Sequence, residues 1–583
     1  MKRLAHLALA AVLLAATPAP SGSGAALVDD LASKYWQHEL QRDYVLRSEL
    51  GLPIETLAPA TLENVQSEAD FSQSILDGLS VVEPARLDHD RWLTYRTLSF
   101  LATNDVATHT YFWLRQQVTP YAGGSQLGYI SSLLTNFQFA TADDARRYVS
   151  LLHQYALFVR SLQAFALGQH ERGIVLPDVE SEASAAVFDG YAAPAQSGAL
   201  VPGEPRLSKL SPPARAALEK QASDAVASEL VPALNGVAAY LRGPYRDGAP
   251  TGVGLAQYPG GRDYYQYLIV ANTTLTIAPE KLHALGLREV ARLNAELEGI
   301  RDEVGFAGDL PAFKQYLAHD PKFFAKTTQG FGDRLMVYVR RAQSAVPAFF
   351  SHTPSAPYGV APLPKALAGA QTFGYYDQPT AARPQGLYLY NAWHPERTST
   401  LGAGALICHE LIPGHHFQVA LQQENAALPD VRRYDFSETG FVEGWGEYAS
   451  QLCWDMGVYR TPYDKAGRIM QDLMVSTRLV VDTGMNALGW SRERAMAYMR
   501  ENLTLSDAQI ASESLRYSTD IPGQALAYKT GELTLLQIRE DARKKLGSAF
   551  DIRRFHSWVI DGGSMTLDTL RAHVDYEMSK AAP

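Results

Sequence analysis

Apolar residues recur at spacings of three and four along much of the chain, the period of helices that bury one face. The pattern is clear over 279–300, with Pro279 near the start and then Val290, Leu293, Leu297 and Ile300; proline suits a first helical turn. Positions 211–241 open on a capping Ser211 and two prolines, and a kink is expected at Pro232. A further helix is expected over 465–479. Two others stand out: 399–412, with Leu401, Ala405, Cys408 and Ile412 on one face, and 440–454, with Phe441, Val442, Trp445, Tyr448 and Leu452. A strand is expected within 376–391, around Tyr388-Leu389-Tyr390, just before the 399–412 helix. Such a strand could bind an extended peptide by edge pairing. The segment 183–210, rich in Ala, Pro, Ser and Gly, reads as an irregular crossing between two lobes. The expected fold is mainly α, with a small β element beside one helix.

Two of these helices carry groups that are costly to bury unless paired or coordinated. The first ends in His409-Glu410-Leu411-Ile412-Pro413-Gly414-His415-His416, and the second holds Glu443 and Glu447 one turn apart. Two imidazoles and a carboxylate can hold a catalytic zinc and leave a fourth position for water. Glu410, next to the first histidine, would be the general base. The spacing departs from the usual i, i+4 pair of histidines: position i+4 from His409 is Pro413. In a straight helix i+6 lies roughly 9 Å along the axis and about 240° around. Pro413 and Gly414 must therefore bend the chain to bring a downstream histidine back. His415 needs the smaller distortion, whereas His416 is azimuthally better placed in a straight helix, so both stand as candidate ligands. Glu443 is the expected carboxylate ligand and Glu447 the partner behind a ligating histidine.

With 583 residues, 46% of them hydrophobic and 20% charged, the chain is that of a globular protein with a large core. A net charge of -10, with no basic cluster or phosphate loop, argues against nucleic acid or an anionic membrane as partner. Lys2-Arg3, the apolar run 4–16 and the small residues after it form a secretory leader, too short to span a bilayer. Cleavage is expected near Ala19 or Ala26, leaving one large domain over 27–583, divisible near 183–210. The mature protein is expected to be periplasmic or secreted, without a lipid anchor, because no cysteine closely follows the run. Cys408 adjoins His409, while Cys453 lies beyond Glu443 by about 15 Å along a helix; two buried free thiols are expected.

The string HELIPGHHFQ resembles the signature of the bacterial "domain of unknown function 885" family, a group read as metallopeptidases, many of them exported. The likeness extends to 264–290 (YYQYLIVANTTLTIAPEKLHALGLREV), to Pro384-Gln385-Gly386-Leu387-Tyr388, to 477–495 (TRLVVDTGMNALGWSRERA), to Arg516-Tyr517 and to 522–529 (PGQALAYK). One departure is Asn486, where the family pattern has histidine. The resemblance implies a helical fold similar to the oligopeptidase, angiotensin-converting-enzyme and thermostable-carboxypeptidase groups, with two lobes around a deep active-site channel. Phe441-Val442-Glu443 looks like the third-ligand segment of the oligopeptidases. By position, Tyr517 and Tyr528 would then stabilise the oxyanion, and Arg516 and Lys529 would bind a peptide carboxylate.

The expectation is thus a metallopeptidase with one zinc per chain, acting on short peptides. Two alternatives stand beside it: a zinc amidase or esterase acting on a non-peptide amide, and a periplasmic binding protein with an inert or structural metal site, in which all four positions would be filled by protein.

Overall fold

The computed structural model describes residues 23–363 and 374–581. Most of the expected leader therefore lies outside the described residues. The chain is mainly helical, from Ser23–Arg42 to Leu567–Ala581, and among the described residues no helix is long and apolar enough to cross a membrane. One apolar core gathers side chains between Ile54 and Tyr245. A second gathers Leu93 and residues between Ala325 and Met578, including the faces expected of the histidine and glutamate segments. The Pro279–Glu303 helix lies along the Pro462–Asn486 helix, and Val290, Leu293, Leu297 and Ile300 meet Ile469, Leu473 and Val481. That is the face its apolar spacing selects.

Two readings change. The first half of 183–210 is not an irregular crossing: Asp178–Gln196 is helix, with Ala185, Phe188, Ala192 and Ala195 buried in the first core, while 197–210 is irregular. Alanine is the best helix former, and the small side chains that suggested a loop serve here for close helix contact. Over 211–241 the expected kink is a π turn, Val226–Leu230, between the helices Pro212–Ala225 and Val231–Arg242. The wider turn accommodates Pro232, which has no N–H to give and whose ring crowds the preceding turn.

The sheet has three strands, β1 (Tyr358–Pro362), β2 (Tyr375–Asp377) and β3 (Gly386–Tyr390), in the order β1-β3-β2. β3 pairs in parallel with β1 and antiparallel with β2. The strand expected to offer an edge is therefore central, and the edges belong to β1 and β2. Alternation along β3 buries Tyr388 and Tyr390.

A buried histidine ties the Thr439–Asp455 helix to the C-terminal region. His556 Nε2 lies 2.8 Å from the Tyr448 hydroxyl and Nδ1 lies 2.8 Å from the Phe349 carbonyl oxygen. Nδ1–H thus donates to Phe349, and Nε2 accepts from Tyr448. Burial pushes the His556 pKa down from 6.5 to about 3. A lowered folded-state value means that the unfolded chain binds the extra proton, so this contribution to stability is lost as pH falls below 6.5 toward 3. By pH 5 the loss is about 2 kcal/mol. His556→Gln cannot titrate, so its deficit relative to wild type is expected to shrink by about that amount between pH 7.5 and pH 5. Urea unfolding of both proteins at the two pH values reads this directly; a gap independent of pH would show that His556 does not stay neutral.

Candidate metal centre

The helix carrying the first histidine, Ala403–Glu410, stops at the motif. Leu411 leaves helical geometry, the Ile412–Pro413 peptide is cis, and a new helix, His415–Glu424, begins at the next histidine. The motif is therefore two helices joined by a tight reversal, not one kinked helix. Gly414 makes the reversal possible through space rather than φ: a Cβ there would lie 1.8 Å from the His409 carbonyl oxygen. The Trp445 indole N–H donates to the carbonyls of Pro413 and Gly414, at 3.0 and 3.2 Å, and fastens the turn to the Thr439–Asp455 helix.

This reversal brings the His409 and His415 rings to 4.6 Å between centroids, at 82°. His409 Nε2 and His415 Nε2 each lie 3.4 Å from Glu443 Oε2. That is long for a charge-assisted hydrogen bond, about 2.7–2.9 Å, and Glu443 Oε2 is buried without a hydrogen-bond partner. Ligand atoms held tetrahedrally by zinc at about 2.0–2.1 Å stand about 3.3–3.4 Å apart. The three side chains are thus spaced as ligands of one ion, and the orphaned oxygen is what such an ion would satisfy. Glu447 Oε1 sits 3.1 Å from His409 Nδ1, without hydrogen-bond alignment, and is placed to orient that ring. Gly446 lets the ring lie against the helix, since a Cβ there would be 2.7 Å from His409 Cε1.

The electrostatics agree with the spacing. Burial would raise the Glu443 carboxyl, but His409 and His415 overcome it and hold the group well below the carboxylate range. Burial would lower His409, but Glu443 and Glu447 reverse this and raise it well above 6.5. Burial raises Glu410 above the ordinary carboxylate value, with His409 and His415 pulling the other way.

His416 is not part of this group. Its Nδ1 lies 3.0 Å from the Tyr376 hydroxyl and its Nε2 3.0 Å from the Ala356 carbonyl oxygen, so both ring nitrogens are engaged. A Cβ at Gly386 would lie 2.4 Å from its Nδ1; His416 fastens the second helix to the sheet. The next residue along a helix points about 100° away, which is why only one histidine of the pair faces His409.

Of the two tyrosines, Tyr528 reaches the site: its ring stacks on His409 at 6.1 Å and 14°. Burial, with Glu443 nearby, pushes its hydroxyl up to about 12, so it remains a neutral donor. Its helix, Leu526–Leu546, comes close because Gly531 meets Gly444; a Cβ at Gly444 would lie 2.6 Å from the Gly531 Cα. Tyr517 has its hydroxyl committed, donating to Glu513 and accepting from Arg478 Nε at 2.8 Å. Arg516 is mostly buried, with its guanidinium over the Tyr121 ring and Nη2 donating to Gln524. Lys529 is not available to a substrate: it is 1% exposed and its ammonium faces three carboxylates, Asp472 at 2.6 Å, Glu532 at 2.9 Å and Glu289 at 3.4 Å. It follows Tyr528 and so points to the other side of the helix.

That other side holds residues that no motif marks. Arg468 pairs with Glu447 Oε2 at 3.1 Å and Glu532 Oε1 at 2.7 Å, and Gln471 donates to Glu447 Oε1 at 3.0 Å. Burial would raise Glu447, but Arg468 and His409 hold it down to about 2. The available signal was charge on the apolar face of the 465–479 helix, where Arg468 and Asp472 alternate with Ile469 and Leu473. Asn486, the departure from the family pattern, is structural: Oδ1 accepts from the Leu255 amide at 3.0 Å, and Nδ2 donates to the Tyr517 carbonyl at 2.8 Å.

The cysteines are not free. Cys408 and Cys453 form a disulfide, with Cα atoms 6.4 Å apart. The expectation of separate thiols treated the two helices as running alongside each other. Neighbouring residues lie 100° apart around a helix, so His409 reaches toward Gly446 while Cys408 reaches the far end of the same partner helix.

A second group with metal-ligand chemistry, His89, His573 and Glu577, also occurs among the described residues. His89 Nε2 and His573 Nδ1 are 2.7 Å apart, and the rings are nearly coplanar, 12°, with centroids 5.0 Å apart. The centroid separation is little more than that contact plus two ring radii, so the nitrogens face each other along a line. This is an imidazole–imidazole hydrogen bond rather than two lone pairs converging on an ion.

The family model described as "Bacterial protein of unknown function (DUF885)" matches residues 45–574. The chain belongs to the DUF885 family. A protein of Colwellia psychrerythraea, provisionally named a lipoprotein, has a crystal structure similar to this DUF885 chain with a TM-score of 0.87 at 23% identity, covering 96% of this chain and 100% of its own. One of Shewanella oneidensis, also provisionally named a lipoprotein and of unknown function, gives 0.70 at 18% identity, covering 94% and 99%. At these identities the likeness establishes the DUF885 fold and nothing finer. No curated protein matches the chain.

Proposed function

We propose that this DUF885 protein is an exported zinc-dependent hydrolase of peptide bonds. The observation that carries the reading is the pair of 3.4 Å spacings from Glu443 Oε2 to His409 Nε2 and His415 Nε2, which suit a single tetrahedral ion. His409, His415 and Glu443 would hold zinc. When bound, it would polarise the scissile carbonyl and acidify a water. Glu410 would take the proton from that water and return it to the leaving amine; a carboxyl raised by burial suits both tasks. The Tyr528 hydroxyl would donate to the developing oxyanion, and Glu447 would hold the His409 ring in its ligating orientation. β2 carries Tyr376, whose ring stacks toward His415 at 6.2 Å, so a peptide added along this edge would run beside the cluster.

Three protein donors rather than four in the group, with His416 engaged elsewhere, favour a catalytic over a purely structural ion. Export is supported by the leader-like start and by a disulfide of the kind kept in oxidising compartments. The deciding measurement is metal content of the purified protein beside Glu443→Ala. We expect about one zinc per chain in the wild type, consistent with one three-donor centre, and little in the variant. A wild-type protein that stays metal-free when zinc is supplied would end the hydrolase reading in favour of a binding protein.

A further inference from the structure

Away from the histidines, unpaired buried oxygens collect where the Asp178–Gln196 helix meets the turn Arg516–Asp520. Glu180 is 1% exposed, and neither of its carboxylate oxygens has a hydrogen-bond partner. The fully buried hydroxyls of Ser181 and Ser184 are also unpaired, as is Asp520 Oδ1. Helical register places Glu180 and Ser184 on one face of their helix. On the same helix, Val187 and Tyr191 lie over Gly124 and Gly128, 3.3 and 2.7 Å from where a Cβ would be. Stepping back one turn reaches Ser184, and another reaches Glu180, level with the chain just before Gly124. Asp520 arrives there from the other side, facing the Thr119 hydroxyl and the Tyr121 amide. Glu180 and Asp520 are close enough that the charge of Asp520 helps raise the Glu180 carboxyl.

Unpaired oxygens are costly to bury, and two carboxylates together more so. No guanidinium among the described residues hydrogen-bonds to either carboxylate. Arg492 is the cation facing Glu180, but it donates to Ser514 Oγ at 2.9 Å and the Ala511 carbonyl at 3.1 Å. Arg516 donates to Gln524, and its charge acts on Asp520 from a distance, with its Nε left without a partner. The donors are all oxygen, two carboxylates and three hydroxyls, the set that hard cations select, and calcium tolerates irregular arrangements that magnesium does not. We propose that Glu180, Asp520, Ser181, Ser184 and Thr119 bind a calcium-class divalent cation, a site separate from the histidine cluster and independent of the hydrolase reading. The ion would pin the N-terminal helices to the turn that carries Arg516 and Tyr517.

The test uses the full chain, stripped of divalent ions and reloaded with zinc. Calcium is titrated calorimetrically, and terbium luminescence is excited through the neighbouring Tyr121. Expected is one calcium per chain, bound more tightly than magnesium and retained in Glu443→Ala. Glu180→Gln and Asp520→Asn should each weaken it about tenfold or more, and Ser184→Ala less, since charge count sets affinity. Wild-type protein alone decides if a carboxylate variant fails to fold. No uptake at millimolar calcium, or uptake that survives both substitutions, would overturn the proposal and leave Glu180 and Asp520 as a proton-sharing, hydrated pair.

Discussion

Glu410→Gln is expected to bind zinc as wild type does and to lose about 10²–10⁴ in the rate of peptide hydrolysis, the usual worth of a positioned general base. Glutamine keeps the shape of the side chain and cannot take a proton. The residue ends the first helix beside His409 yet is not one of the three donors in the cluster, so metal and catalysis should separate. Metal analysis and turnover of a mixed peptide substrate on one preparation measure both. If the variant keeps its rate, Glu410 has no part in the reaction; if it loses zinc as well, the ligand set has been drawn wrongly.

The second large effect is expected at a residue that touches no substrate. Arg468 is 1% exposed and is shared between Glu447 and Glu532, with Asp472 3.8 Å away and Lys529 bridging Asp472 and Glu532. Arg468→Met removes the cation and leaves buried carboxylates facing one another. Breaking a buried pair in this way costs about 3–5 kcal/mol. Glu447 would also lose the partner that holds it ionised behind His409, and zinc affinity should fall about 10–100-fold. Chemical unfolding and competition with a zinc chelator read the two losses separately. Adding Glu532→Gln should recover part of the stability, because the two changes share one network. A single variant within about 1 kcal/mol of wild type would show the network to be dispensable.

These two residues also mark how far the sequence could be read. Glu410 was legible because its neighbours define a chemistry: His409, His415 and Glu443 are residue types that together suggest one ion. Arg468 was not, because its partners, Glu447 and Glu532, are far from it in the chain and meet only through helix packing. The choice between His415 and His416 was likewise hidden. It depends on where the first helix stops and on Gly386 admitting the His416 ring, neither of which leaves a mark in the motif. Positional likeness placed Tyr528 and Lys529 together, although adjacent residues on a helix face different surroundings. The helical faces fared better: the burial of Val290, Leu293, Leu297 and Ile300 follows from spacing alone. The irregular reading of 183–210 holds for 197–210 and fails for 183–196, because composition cannot tell a small-residue helix from a loop.

The contact between Gly444 and Gly531 bears on tolerance rather than chemistry. Helices usually meet through side chains, which can compress, change rotamer or be exchanged for others of similar size. Here backbone rests on backbone, one residue from Glu443 and three from Tyr528, and nothing in the joint is adjustable. A change of residue at either glycine cannot fine-tune the distance from carboxylate to hydroxyl; it can only force the two helices apart, moving both groups at once. The joint behaves as a fixed gauge, and diversification of the site must proceed through residues farther along those helices.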